Sequence, residues 1–263
     1  MRLTEKEKRE ILELTRKGIS LNKISSTTEI RKTTIYYHVR KQFGRHYKLV
    51  EVGNNLEHIG EFLGMFAADG SYQETDHGHV IRIWFSLDEL KYLRATKRLL
   101  MTIFKKRPNV YRSKNNAYEI RYTSMILGSL LKEYLIWEGK KSHSVRLKSM
   151  KHSSDFLIGF VRGFLDCDGY VNKKSKIVSI FSISQKMMKQ IFTIISSFGF
   201  KPQFYTYIDK RGNRKPLHFV NIRGDQSVEF LNLIKPRNKK RIRKWVHPDS
   251  KSPNASIEAF SGV

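Results

Sequence analysis

The chain contains a single cysteine, Cys167, in 263 residues. That excludes an internal disulfide and any multi-cysteine zinc site, and it suits a reducing compartment. Long uncharged apolar runs are missing too, as is a signal-peptide pattern at the start. The expectation is a soluble intracellular protein with no membrane partner, cytoplasmic or nucleoid-associated, or organellar in a eukaryotic host. The third shortage is of acid: 24 Asp and Glu stand against 50 Lys and Arg, a formal net charge of +26. Self-repulsion of that size is most simply relieved by a polyanion, and nucleic acid is the commonest one. With 40% hydrophobic and 12% aromatic residues, the composition is rich enough to build real cores.

The first 46 residues carry twelve basic and five acidic side chains. Ile11, Leu12 and Leu14 have helical spacing, with Gly18 as a stop. A second helix is expected from Ser20 with Leu21 and Ile24 inward, and a third from Arg31 to Lys41 with Ile35, Tyr36 and Val39 inward. Three short helices with a tight middle connection resemble a helix-turn-helix. In that reading the third helix offers Arg31, Lys32, Thr33, Thr34 and Tyr37 to phosphates and base edges. A small bundle used for packing or dimerisation is the other reading.

Past Tyr47 the chain repeats itself. "HIGEFLGMFAADGSY" (58–72) and "LIGFVRGFLDCDGYV" (157–171) align without gaps at an offset of 99, so that Gly60, Gly64, Asp69 and Gly70 fall on Gly159, Gly163, Asp168 and Gly169. Each copy is followed by alternating and helix-spaced segments, and each half reads helix, two strands, helix, two strands, helix. The tail 251–263 looks loose.

Glycine within a helix costs about 1 kcal/mol relative to alanine, so two per copy at i, i+4 need a reason. A smooth ridge of Gly60 and Gly64 against Gly159 and Gly163 supplies one. Two helices packed that way in parallel bring Asp69 and Asp168 together at their C-terminal ends, with Gly70 and Gly169 as C-caps. Carboxylates are unfavourable there, and the arrangement asks for a cation. Hard oxygen ligands favour Mg²⁺, with Mn²⁺ as a substitute, completed by water and phosphate oxygens. Such a centre suits phosphodiester hydrolysis; two aspartates that merely close turns are the bland alternative. "FLDCDG" also matches the nucleophile and acid of haloacid dehalogenase-like phosphatases. That motif needs a buried strand before it, whereas here a helix-spaced glycine pair precedes it.

"FLGMFAADG" (62–70) and "VRGFLDCDG" (161–169) resemble the two motif copies of the LAGLIDADG homing endonucleases, and the resemblance covers about 47–250. It implies an α+β fold: two pseudo-symmetric αββαββα halves, 47–150 and 151–250, each with a saddle-shaped sheet in the DNA major groove, here preceded by a small all-α helix-turn-helix domain, 1–46. It further implies Asp69 and Asp168 as metal-binding catalytic acids, with the backbone carbonyls of Ala68 and Cys167 near the metals. Gln185 fits the family's water-ordering residue in the second half, and Lys141 and Lys239 its peripheral lysines, unless these only contact phosphate. The sixth motif position is Asp166 in one copy but Ala67 in the other, which bears on local stability rather than chemistry. Arg162 stands where a small residue is common and bears on how closely the helices pack.

Arg82, Arg121, Tyr122, Tyr205, Arg211, Arg214 and Arg223 are candidates for the groove side, with Lys240 and Arg241 in a basic run (235–245) that tracks phosphates. The expected activity is that of a freestanding monomer cutting double-stranded DNA at one long site and leaving 3′ overhangs. A non-cleaving transcription regulator or RNA-splicing helper on the same fold, with RNA as a further partner, stays open.

Overall fold

A capping box starts the first helix: the Glu7 amide donates to Thr4 Oγ1 at 3.3 Å, and the Thr4 amide donates to the Glu7 carboxylate at 2.7 Å. The computed structural model of the chain describes residues 3–17, 19–43, 52–75, 78–113, 117–172, 174–209, 215–240 and 258–259. Helices α1 (Glu5–Arg16), α2 (Leu21–Thr28) and α3 (Lys32–Phe43) close around Ile11, Ile24, Ile35 and Val39, none of which reaches solvent. The turn from α2 to α3 is tight because Glu29 takes a left-handed φ of 58° and Ser25 Oγ donates to the Ile30 carbonyl at 2.7 Å. Tyr36, expected inside, is exposed: Ile35 and Val39, four apart on one stripe, already fill the small core, and residue 36 points about 100° away from it.

The first repeat runs α4 (Leu56–Asp69), β1 (Ser71–Thr75), β2 (Gly78–Ser86), a 3₁₀ turn (Leu87–Glu89), α5 (Leu90–Phe104), β3 (Asn109–Arg112), β4 (Ala117–Ser124) and α6 (Met125–Tyr134). A bridge follows, made of β5 (Leu135–Ile136), α7 (Lys141–Ser144) and β6 (Arg146–Leu147). The second repeat runs α8 (Ser154–Asp168), β7 (Gly169–Asn172), β8 (Ile177–Ser182), α9 (Gln185–Ser197), β9 (Gln203–Tyr207), β10 (Leu217–Arg223) and α10 (Asp225–Ile234). Both sheets are antiparallel, in the orders β1-β2-β4-β3 and β9-β10-β8-β7. Thus the α+β architecture of two αββαββα halves is present. One core joins them, with Phe62, Phe66 and Phe104 from the first half and Phe160, Phe164 and Ile191 from the second.

The halves meet along α4 and α8. A methyl group on Gly60 or Gly64 would strike the Phe156 or Phe160 carbonyl oxygen, and one on Gly159 or Gly163 the Glu57 or Glu61 carbonyl oxygen. Each helix therefore lays glycines on the other's backbone, and the stepwise pairing runs in the same direction along both. Gly70 and Gly169 do cap the helices, as extended residues with φ −73° and −114°. Their lack of a side chain serves space: a methyl group on Gly70 would lie 2.7 Å from the Phe66 oxygen, and one on Gly169 would strike the Leu165 oxygen.

Within the tail expected to be loose, residues 258–259 form a short strand, β11, beside β9. An edge strand offers unpaired amides and carbonyls to any passing chain. No helix among the described residues is long and apolar enough to cross a membrane.

Gly64→Ala and Gly163→Ala each drive a methyl group into a partner backbone that has no side chain to move. Each is expected to lower stability by about 3 kcal/mol or more, read as a fall in the urea midpoint. A loss below about 1 kcal/mol would mean that the helices separate freely.

Candidate functional site

α4 and α8 end side by side at Asp69, which is exposed, and Asp168, which is half-buried. The last carbonyls of a helix have no intrahelical partner and carry its negative end, so two acids there need compensation. Lys141 provides it. Its ammonium donates to the carbonyls of Phe66 (2.6 Å), Ala67 (2.8 Å) and Ala68 (3.4 Å) and lies 4.9 Å from the centre of the Phe66 ring. Burial pulls its pKa down to about 8, while Asp168 and Asp69 pull it back up. It therefore stays charged at neutral pH.

The bridge reaches this position because it is stitched to the second half. The Gln190 carboxamide accepts from the Leu147 amide at 2.8 Å and donates to the Leu147 carbonyl at 2.9 Å, and Ser184 Oγ donates to the Val145 carbonyl at 2.9 Å. Ser184 is the N-cap of α9, so Gln185, the exposed first residue of that helix, comes to the neighbourhood of α7.

The end of α8 is satisfied differently. Asp166 is buried and accepts the amides of Arg237 (3.0 Å) and Asn238 (2.9 Å), while Asn238 Nδ2 donates to the Asp166 carbonyl and to Glu89, each at 3.0 Å. Burial raises the Asp166 carboxyl to about 7 against those two amides. It anchors a strap instead of facing solvent. Two residues on, Lys240 crosses to the first half and donates to Ser86 Oγ (2.8 Å) and Asp88 (2.5 Å), holding the Asp88 carboxyl well below the usual carboxylate range. Lys239 is exposed in the same segment; Lys141 is the lysine brought to the aspartates.

Arg162 does not push the helices apart. Almost fully buried, it donates to the Ile234 carbonyl (2.5 Å), to Glu57 (2.5 Å) and to Glu61 (3.3 Å), and Arg237 also reaches Glu61 at 2.9 Å. A buried arginine needs such saturation, and this one ties α4, α8 and α10 together. Cys167 is also buried, and burial pushes its thiol well up, so it packs and does not attack.

Among the described residues no cluster of three or more His, Cys, Asp or Glu side chains could hold a metal. The fit for Mg²⁺ rests on two carboxylates at one helix-end pair, all hard oxygen, leaving most coordination places to water and phosphate, as that ion prefers. The Ala68 carbonyl already receives Lys141.

Strand alternation sorts the basic candidates. Arg82 and Arg121 are direct neighbours on the outer face of the first sheet, and Arg121 stacks 4.7 Å from the Tyr111 ring centre. Tyr122, expected beside them, turns inward with 1% exposure and stacks on Phe104, because adjacent strand residues face opposite sides. Arg223 and Tyr205 lie on the outer face of the second sheet, 5.8 Å apart. In the helical unit, Arg31, Lys32, Thr33 and Tyr37 are exposed and Thr34 is half-buried. Arg211, Arg214 and Arg241 lie outside the described residues. Missed from the sequence were Asn238, which caps α8 from a distant segment, and Glu61, whose charge inside an apolar run was the available signal.

Residues 155–235 match the model of the LAGLIDADG-like domain. The chain is 23% identical over 223 residues to the replication factor C small subunit of Methanocaldococcus jannaschii, covering 80% of this chain but only 11% of that relative's length. Among solved structures, I-DmoI G20S in complex with its target DNA in the presence of Mg superposes with a TM-score of 0.51 at 15% identity, covering 70% of this chain and 98% of that one. Full-length DUF199/WhiA from Thermatoga maritima gives 0.50 at 14% identity, covering 71% of this chain and 58% of that one. At such identities the two structures establish a shared fold.

Since both aspartates raise the Lys141 pKa, the double substitution Asp69→Asn, Asp168→Asn is expected to move its titration from about 8 to lower pH in the DNA-free protein. Nitrogen-detected NMR of the ammonium measures this. An unchanged value would separate the lysine from the acids.

Proposed function

We propose that this chain, a member of the LAGLIDADG family, is a site-specific endonuclease that hydrolyses both strands of a long double-stranded DNA target. The observation that carries the reading is the meeting of Asp69, Asp168 and the Lys141 ammonium at the ends of two abutting helices. Outward-facing basic and aromatic sheet residues on either side support it. Asp69 and Asp168 would hold Mg²⁺ or Mn²⁺, which when bound supplies charge to stabilise the phosphorane-like transition state and acidifies a coordinated water. Lys141, cationic at neutral pH, fixes the α4 end through three carbonyls and attracts a phosphate oxygen. Each carboxylate can accept a hydrogen bond from water facing a phosphodiester. The outer faces of the sheets contact the major groove, and basic residues along 235–240 follow the phosphates. Because one chain carries both halves, a monomer suffices for both strands. The three-helix unit at the N-terminus adds phosphate contacts through Arg31 and Lys32 in the manner of a helix-turn-helix.

One observation favours a second reading, a non-cleaving DNA- or RNA-binding protein. Lys141 already supplies a cation to the helix ends, so the two acids can persist without any metal. The test is cleavage of a randomised long-site library by the full chain in Mg²⁺, with cut ends sequenced. Asp69→Asn and Asp168→Asn are each expected to abolish cutting while leaving DNA binding largely intact. Full activity in both variants would end the nuclease reading, and tight, salt-sensitive binding without cutting by the unaltered chain would favour the second.

For the helical unit, Arg31→Gln and Lys32→Gln are each expected to lower the slope of log affinity against log salt by about one while weakening all sequences alike. Binding measured from low to high salt checks this; an unchanged slope would remove α3 from the DNA interface.

A further inference from the structure

We propose that the two sheets read opposite base compositions at matching distances from the centre of the target: G·C pairs under the first sheet, A·T pairs under the second. This rests on the reading of both outer faces as groove-facing. The cross-strand rows make the comparison possible. Two residues past Asp69, one row of the first sheet runs Ser71, Arg82, Arg121, Asn109. Two residues past Asp168, the corresponding row of the second sheet runs Tyr170, Ser179, Asn221, Gln203. The rows start at the same step from equivalent helix ends, so they occupy equivalent places along the DNA on either side of the pseudo-twofold.

Their chemistry differs. In the first row two guanidiniums are direct neighbours, and Glu119, two residues from Arg121 on the same face of β4, binds Arg121 Nε at 2.6 Å and Arg82 Nε at 3.5 Å. With Nε engaged by the buried Glu119, which holds the guanidinium in place, the terminal amino groups of Arg121 remain for guanine O6 and N7. The G·C pair is thus read from its guanine. In the second row the same places hold Ser179, Asn221 and Gln203. The Asn221 carboxamide oxygen is turned away from solvent and has no hydrogen-bond partner among the described residues; a half-turn about the last side-chain bond brings it to the outer face, where an adenine N6 amino group would supply one. Gln203 Oε1 is occupied by the Tyr205 hydroxyl at 2.6 Å, which leaves its amino group as a donor. One row further, the place of Glu119 is taken by Phe219, flanked by Phe181 and Tyr205, apolar surface of the kind that contacts a thymine methyl group. Arg223 lies on the other side of the Asn221 row, at the end of β10.

The test is selection of randomised duplex DNA by the full chain with metal chelated, so that binding is read without cleavage, followed by the same selection with Arg121→Lys and with Asn221→Ala. The expected result is a bound site with G·C pairs on one side and A·T pairs on the other, equally far from its centre. Arg121→Lys should reduce the G·C preference about fivefold or more without touching the other side, and Asn221→Ala should relax only the A·T side. A long enriched site of equal composition on both sides, or both substitutions acting on one side or on neither, would overturn the base assignment and leave the groove-facing reading standing. No enriched sequence at all would overturn both.

Discussion

The contact on which the rest of the structure depends is backbone against backbone, between α4 and α8. Four glycines at i, i+4 let each helix rest on the carbonyls of the other, closer than any side chain would permit. A contact that intimate admits no register slip, since moving either helix by one residue would replace a glycine with a bulky side chain at the crossing. It therefore fixes the relation of the halves more rigidly than ordinary ridge-and-groove packing. The buried Arg162 is a consequence: with the helices locked, Glu57, Glu61 and the Ile234 carbonyl stand close enough to surround its guanidinium. Without that saturation a buried arginine would cost several kcal/mol.

The same contact creates the electrostatic problem that the site answers. Two parallel helices of fourteen and fifteen residues end together, each adding the negative end of its dipole to a carboxylate. The chain resolves the two ends by unlike means. At α4 an ammonium enters from the bridge and meets three carbonyls. At α8 a neutral carboxamide caps the helix, and the buried Asp166 pins the strap that carries it. Each solution comes from a segment that follows one repeat and leans on the other: the bridge on α9, the strap on the 3₁₀ turn before α5. The helix ends are thus closed by crossed arms, and neither half can complete its own end alone.

The repeat, the glycine ridge and the meeting of the aspartates were legible because each depends on local spacing. Period-two and period-3.6 patterns likewise located β2, β4, β8, β9, β10 and the long helices of each half, while the short β1, β3 and β7 showed no alternation long enough to place them. The bridge was not legible: β5, α7 and β6 are too short to show a period, and their position is set by bonds to Ser184 and Gln190, 39 and 43 residues ahead. Lys141 could be named from "GKKS", but nothing in four residues says which lysine points into a carbonyl cluster. Tyr122 shows the opposite error, since the alternation that identified its strand also forbids it from sharing a face with Arg121. Asn238 was beyond reach, because its role exists only where segments 72 and 149 residues apart are brought together.

Duplication explains which features of the halves stayed alike and which parted. Glycines, aspartates and strand registers are constrained by the shared interface, and a change in one copy disturbs the other. The middle of each outer face carries little of this coupling, since the contacts of Arg82 and Arg121 are to Glu119, Gln73 and Tyr111 of their own sheet. Arg82 and Arg121 can therefore stand where the second sheet has Ser179 and Asn221, and Glu119 where it has Phe219, with the scaffold unchanged. A dimer of identical chains would have to repeat any outer-face substitution on both sides, and its surface would stay symmetric. Fusing two copies in one chain removes that constraint while the helix pair keeps the two acids in register, so that asymmetric outer faces can flank a nearly symmetric pair of helix ends.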